Sequence, residues 1–346
     1  QKFKNKIITD LDLIYLLRKD FKTIVVTGTN GKSTTCKIIY HVLKKNKFNV
    51  LLGGNFGTPV LQLSPKKTNF LIIEASSYQL SHSKFIKPDF AVLLNITNDH
   101  LDWHGSMREY VNSKLKIFRL QTKSQFSIIN KKFVNNFKTK KFSGKIIIPD
   151  KKIYLKFKNQ IKNAYVKSTI NDENVSNVLA LTKLLKINEK SLLQSLNTFK
   201  GLKHRYEIFL QKKNTTFIND SKATSFEATK FALQNSNNVF WIVGGLPKKN
   251  DKIILGKLKN KIIKSYIIGK KINFFKKQIQ KNVSTYVAKN LRNSIIRILK
   301  DIKLFKKENN TILLSPAAAS FDQYLNFEKR GNHFKKLSRL YANKFI

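Results

Sequence analysis

The chain has 346 residues, 67 basic and 20 acidic side chains, a formal net charge of +47 and 41% hydrophobic residues. That apolar content supports buried cores and excludes a disordered chain, which pairs high charge with low hydrophobicity. The 13 glycines and six prolines exclude collagen-like and proline-rich classes, and the lone Cys36 excludes a disulfide scaffold and fits a reducing, cytoplasmic compartment.

A length of this order suggests two or three domains. The first stretch, residues 1–20, has no apolar core of the kind a secretory signal needs, and no apolar run reaches the ~18 residues of a membrane span. The chain begins at Gln1 and its one methionine is Met107, so it reads as a processed product or as a fragment.

In chain order, an apolar strand at 24–26 leads into a glycine-containing loop and a helix from 32 to 45. Strands are predicted at 49–52, 70–73 and 90–95. A helix is predicted over 107–119, with Met107, Tyr110, Val111, Leu115 and Phe118 near helical spacing. The lysine-rich region 121–170 carries β-like pieces at 126–129, 145–148 and 153–157, read as an edge or a small antiparallel sheet. Helices follow at 173–186 and 189–197. Past Gly201, strands are predicted at 206–211, 215–219, 239–244, 264–268, 283–287 and 311–314, with a final helix over 332–343. Strand–helix alternation of this kind argues for parallel sheets covered on both faces, with a domain boundary near Gly201.

The segment Thr27-Gly28-Thr29-Asn30-Gly31-Lys32-Ser33-Thr34 follows a strand and opens a helix. Its glycines let backbone N–H groups turn toward phosphates, the helix N-terminus adds partial positive charge, Lys32 reaches the β/γ-phosphates and Ser33 can ligate Mg²⁺. Val26 stands where the strict phosphate-loop pattern has its first glycine. Glu74 closes the 70–73 strand, where a carboxylate faces the ligand crevice of an open α/β sheet and suits Mg²⁺. His100 follows the next strand end and reads as a metal ligand, an acid–base group or neither. Lys114 sits among apolar residues on the next helix; a partly buried amine has a lowered pKa and can be carbamylated, whereas a snorkelling lysine is the commoner case. In the second half, four strand–helix turns carry polar groups: His204-Arg205, Asp220 with Lys222, Gly244-Gly245 with Lys248, and Ser315 through Ser320. Each alone also fits a plain turn.

The charge invites a nucleic-acid reading. Only eight basic residues are arginine, however, and the other 59 are lysines spread over the whole length among many Asn and Ile. That is the signature of coding drift toward A and T, whereas dedicated phosphate readers favour the arginine fork. No nucleic-acid partner is expected.

Taken together, TGTNGKST (27–34), GGNFGTP (53–59), EASSYQL (74–80), NITNDHLDWHG (95–105), Tyr110 with Lys114, HR (204–205), NDSKAT (219–224), the glycine pair with Lys248, and SPAAASFDQYLNFEKRG (315–331) resemble the Mur ligase family of bacterial cell-wall synthesis. The resemblance implies a central P-loop-type ATPase domain with a mostly parallel sheet, followed by a Rossmann-like C-terminal domain. It assigns 1–20 to the linker remnant of an N-terminal UDP-binding domain that is not in the chain, 21–201 to the ATPase and 202–346 to the glutamate-binding domain. EASSYQL and the last segment point to the branch that adds D-glutamate to UDP-N-acetylmuramoyl-L-alanine, as a cytoplasmic monomer.

By matching position, the resemblance assigns Gly28, Thr29, Asn30, Gly31, Lys32, Ser33 and Thr34 to ATP phosphates and magnesium. Ser33 and Glu74 would hold one Mg²⁺, and His100 with carbamylated Lys114 a second. Asn55 and His100 would approach the nucleotide substrate's carboxylate. Asn174, Arg205 and Asp220 would hold adenine and ribose, with Lys222 near the reacting phosphate. Thr224, Lys248, Ser320 and Phe327 would hold D-glutamate. Glu173, Ser225 and Ala318 depart from the residues usual in the family, His, Asn and Cys. The implied reaction is ATP-dependent amide formation through an acyl phosphate. The alternatives are another Mur-type or folylpolyglutamate-type ligase, and a non-catalytic P-loop module that binds nucleotide or nucleic acid.

Overall fold

The computed structural model describes residues 7–17, 20–64, 67–248, 251–305 and 308–345. The chain divides into two compact units, Gln1–Lys200 and Gly201–Ile346.

The first unit is built on six strands: β1 (Lys22–Thr27), β2 (Val50–Gly54), β3 (Phe70–Glu74), β4 (Phe90–Leu93), β5 (Phe126–Ile129) and β6 (Lys145–Ile147). Their spatial order is β2-β3-β1-β4-β5-β6 and every pairing is parallel. The period-two geometry of a strand splits its side chains between two cores. Ile24, Val26, Ile72 and Val92 face the helices Lys32–Lys45 and Asp172–Leu184, while Val25, Leu71, Ile73, Ala91 and Leu93 pack with Tyr110, Leu115 and Phe118 on the other side. Burial on both faces explains why these strands read as unbroken apolar runs.

The region 121–170 follows one of its two expected arrangements and departs from expectation in one segment. Phe126–Ile129 and Lys145–Ile147 form the edge of the main sheet, paired in parallel, rather than a small antiparallel sheet. The 153–157 piece lies in a helix, Lys151–Asn159, started by Asp150, whose carboxylate accepts the N–H groups of Lys152 and Ile153. Tyr154 and Phe157 are its buried face, and Ile161 is buried just past its end. The β-favouring character of Ile, Tyr and Phe is overridden by this cap and by 3.6-residue apolar spacing. The 107–119 helix is α-helical over Met107–Leu115 and tightens to a 3₁₀ turn at Lys116–Phe118. Within the stretch read as a linker tail, Asp10–Leu17 is helical, and residues 1–6, 18 and 19 lie outside the described residues. Leu11 is fully buried there, and the Asp12 carboxylate accepts hydrogen bonds from the Ser83 hydroxyl and from the Lys84 and Phe85 N–H groups.

The second unit has β7 (Glu207–Lys212), β8 (Thr215–Asn219), β9 (Val239–Gly244), β10 (Ile262–Ile268), β11 (Thr285–Lys289) and β12 (Asn310–Leu314), ordered β11-β10-β9-β12-β8-β7. Five strands are parallel. β7 pairs antiparallel with β8, because only two residues join them and a parallel crossover needs about a dozen. Trp241, Val243 and Leu313 fill one face of this sheet, and Phe240, Tyr266 and Ile312 the other.

Candidate functional site

In the first unit the polar residues gather at the carboxyl ends of three adjacent strands, β3, β1 and β4. This is the crevice where the strand order reverses. The 27–34 loop leaves β1 and enters the helix Lys32–Lys45. It is pinned on the β4 side: the Thr29 N–H donates to the Asn95 carbonyl (2.7 Å) and the Asn30 N–H to Asn95 Oδ1 (2.8 Å). Asn95 Nδ2 donates in turn to Glu173 Oε2 (2.6 Å). Gly31 caps the helix at φ +86°, and a Cβ there would sit 2.2 Å from Asn174 Oδ1. No other residue type fits both the conformation and the space. Asn174 is buried; it accepts from Thr35 Oγ1 (3.2 Å) and donates to Asn171 Oδ1 (2.9 Å). Ser33 and Thr34 are buried in the first helical turn.

Two amines meet at one carbonyl. Lys32 Nζ donates to the Gly28 carbonyl (2.8 Å) and the Thr29 carbonyl (2.8 Å), and Lys114 Nζ donates to the same Gly28 oxygen (2.9 Å). Lys114 is 1% exposed and lies 4.6 Å from the Tyr110 ring centroid. Burial, reinforced by the Lys32 charge and opposed by Asp99, pulls its pKa down to about 7. Glu74, 2% exposed, accepts from Asn55 Nδ2 at Oε1 (2.9 Å), while its Oε2 is buried with no hydrogen-bond partner among the described residues. His100 adopts φ +54°, pairs with Asp99 at 3.4 Å and shares a hydrogen bond with Tyr78 Oη at 2.8 Å through Nδ1.

In the second unit Asp220, Lys222, Thr224, Lys248 and Ser320 follow three adjacent strands again, β8, β12 and β9, whereas Arg205 precedes β7. Asp220 is buried after β8. It accepts from the Tyr206 N–H at Oδ1 (3.0 Å) and from Ser315 Oγ at Oδ2 (2.7 Å). Burial raises its pKa to about 7, against the lowering effect of those two hydrogen bonds and of Arg205. Arg205 Nε is buried without a hydrogen-bond partner among the described residues. Ser315 is held from below by Trp241, whose Nε1 donates to its carbonyl (2.7 Å). The Lys222 amine lies 5.2 Å from the Phe327 ring centroid, and the Phe327 carbonyl accepts from Ser221 Oγ (2.9 Å). Ser320 is buried, Thr224 half-buried and Lys248 exposed, on the loops after β12, β8 and β9.

The contacts bring together Lys32 with Lys114 at Gly28, Gly31 with Asn174, Glu74 with Asn55, Asp220 with Arg205, and Lys222 with Phe327. Sequence reasoning gave no role to Tyr78, Asn95, Asn219, Ser315 and Arg330, which orient the expected residues. Each lies inside a quoted motif, and Asn219 shows how it works: its Nδ2 donates to His204 Nδ1 (2.9 Å) and to Glu207 Oε2 (3.0 Å), fixing the His-Arg turn.

Residues 26–211 match the Mur ligase middle domain. The chain belongs to the Mur ligase family. This Mur ligase is 32% identical over 361 residues to the UDP-N-acetylmuramoylalanine–D-glutamate ligase of Pseudothermotoga lettingae, an alignment covering all of this chain and 82% of that protein. It is 34% identical over 358 residues to the enzyme of the same name from Rickettsia prowazekii, covering 97% and 80% of the two chains. Among solved structures, MurF ligase from Thermotoga maritima in complex with ADP superposes with a TM-score of 0.66 at 17% identity, covering 97% of this chain and 84% of that one. The bifunctional folylpolyglutamate synthase/dihydrofolate synthase of Yersinia pestis, complexed with AMPPNP and a Mn ion, gives 0.65 at 12% identity, covering 98% and 94%. These likenesses establish the fold. Among the described residues no helix is long and apolar enough to cross a membrane.

Proposed function

We propose that this Mur ligase joins D-glutamate to UDP-N-acetylmuramoyl-L-alanine at the expense of ATP, in cytoplasmic peptidoglycan precursor synthesis, acting as a monomer. The observation that carries the reading is the meeting of the Lys32 and Lys114 amines at the Gly28 carbonyl of a phosphate loop. The named relatives supply the substrates.

The donor set suits a divalent cation: Glu74 Oε2 is a buried carboxylate oxygen with no partner among the described residues, and hard oxygen ligands are what Mg²⁺ takes. Ser33 and Glu74 would hold one ion, and His100 with Lys114 a second. Bound Mg²⁺ would neutralise charge on the phosphate oxygens. Lys114, with a pKa of about 7, is partly neutral at neutral pH and open to CO₂; the carbamate would turn a cation into an anionic ligand. Lys32 would leave the loop carbonyls to spread the charge that develops as a substrate carboxylate oxygen attacks the γ-phosphorus and ADP departs. The D-glutamate amine would then attack the acyl carbon, and phosphate would leave. Asn174, Arg205 and Asp220 would hold the nucleoside. Lys222 would stand near the reacting phosphate. Thr224, Lys248, Ser320 and Phe327 would seat the amino acid, and Asn55 with His100 would orient the nucleotide substrate.

Phosphate release from ATP, with UDP-N-acetylmuramoyl-L-alanine and D-glutamate, L-glutamate, L-alanine or meso-diaminopimelate offered in turn, tests this. Release that depends on D-glutamate is expected. Release driven by another amino acid, or none in a folded protein, would refute it.

A further inference from the structure

Arg330, in the first turn of the helix Phe327–Phe345, is 1% exposed and belongs to none of the ligand-holding sets given above. Its Nε donates to Ser221 Oγ (3.0 Å), and its Nη2 to the carbonyls of Ser221 (2.8 Å) and Ala318 (3.0 Å). Its Nη1 is buried with no hydrogen-bond partner among the described residues. That nitrogen lies against Gly245: a Cβ at Gly245 would come within 3.3 Å of it and 2.3 Å from the Ala319 carbonyl. One guanidinium thus touches all three loops that carry the amino-acid residues, after β8, β12 and β9. Those loops bear Thr224, Ser320 and Lys248.

Such a group does two things at once. Its planar fork ties the Ser221 and Ala318 backbones together while it packs against a third at Gly245, which a lysine cannot do. Its charge also stays in the interior. Burial lowers its pKa to about 10, with Asp322 and Tyr324 opposing, so it remains protonated at neutral pH. Asp322 is engaged elsewhere, accepting the Lys270 N–H through Oδ2 (2.8 Å). A buried cation whose outer nitrogen lacks an acceptor is costly until an anion approaches.

We propose that Arg330 is the positioning residue that makes this edge of the second unit select an amino acid with an acidic side chain over its uncharged amide. The inference rests on the D-glutamate reading above and names what enforces it. At an effective dielectric of ~20, a unit charge held within ~8 Å of a carboxylate favours it over an uncharged amide by tenfold or more.

The test compares kcat/KM for D-glutamate and D-glutamine, and KM for ATP, in wild type, Arg330→Gln and Arg330→Lys. In wild type D-glutamate should be preferred. Arg330→Gln should cut the D-glutamate over D-glutamine ratio at least tenfold, chiefly through KM for D-glutamate, with KM for ATP within threefold. Arg330→Lys should restore part of the ratio. A folded Arg330→Gln enzyme that keeps the wild-type ratio overturns the proposal and leaves the D-glutamate reading standing. A wild type that turns over only uncharged amino acids overturns both. If Arg330→Gln does not fold, Ser221→Ala, which removes the acceptor of Nε, decides: KM for D-glutamate should rise at least threefold, and an unchanged value would count against the role.

Discussion

Asp220 offers a direct check on the electrostatics of the second unit. Its carboxyl has a folded-state pKa of about 7 against an ordinary 3.8. Between those values the folded chain holds a proton that the unfolded chain has released. Stability from this group is therefore fully present below pH 3.8 and is lost as pH rises through about 7. The gap of roughly three units, at about 1.36 kcal/mol each, sets a ceiling near 4 kcal/mol. Asp220→Asn should remove the dependence without removing the hydrogen bonds. The amide oxygen can still accept from the Tyr206 N–H, and the Ser315 hydroxyl can turn to accept from the new NH₂ while donating to Thr229 Oγ1, 3.0 Å away. Thermal melts of both proteins from about pH 3.5 to 8.5 give the measurement. The two should melt together at the acid end, and the variant should gain up to about 10 °C at the alkaline end, taking roughly 2–4 °C per kcal/mol. A difference that stays flat across this range would refute the reasoning. Nucleotide affinity should move the other way, weakening by tenfold or more at pH 8 where the ribose loses a charged acceptor.

Three further outcomes follow from the first unit. Lys32→Ala should keep the wild-type circular dichroism spectrum and lower kcat by about two orders of magnitude or more in the phosphate-release assay. Gly31→Ala forces a Cβ to 2.2 Å from Asn174 Oδ1 at φ +86°, so ADP affinity measured by calorimetry should fall at least about tenfold, and an unchanged affinity would refute the reading of this loop as the phosphate site. ¹³C-bicarbonate added to the protein should give a carbamate resonance that Lys114→Arg abolishes, and that fades below about pH 6 as the amine protonates; a resonance that survives in Lys114→Arg would assign the adduct elsewhere.

The strands of both sheets were legible because burial on two faces leaves a local mark, an apolar run such as Phe70-Leu71-Ile72-Ile73 ending at a polar residue. Several of the expected polar residues, among them Lys32, Glu74, Asp220 and Lys248, close such a run or follow it within a few positions, so their place at the carboxyl end of a strand comes from the chain itself; Lys114, Asn174, Arg205 and Phe327 do not, and their placement depends on the fold. What was not legible depends on partners distant in sequence. The antiparallel reading of 121–170 failed because Phe126–Ile129 carries no sign of which strand it will lie beside, and β4, its partner, is more than 30 residues earlier. The 153–157 error was avoidable: Asp150 followed by apolar residues at 154, 157 and 161 is a capped amphipathic helix.

Arg330 shows where sequence reading gives out. In the sequence it is a charge in the first turn of a helix, flanked by Lys329 and Gly331, and a solvated surface role is the ordinary expectation for it. What makes it different is invisible locally. Ser221 lies 109 residues before it and the Ala318 carbonyl 12 residues before it, and only the parallel order β9-β12-β8 brings them to one point. A parallel sheet puts the ends of adjacent strands side by side whatever their separation along the chain, so a single side chain at that edge can tie several loops together. Glu74 gains its neighbours in the same way, through the register that sets Val26 and Gly54 on either side of it. The chemistry of each unit is thus written in short motifs, while the orientation of those motifs is a property of strand order.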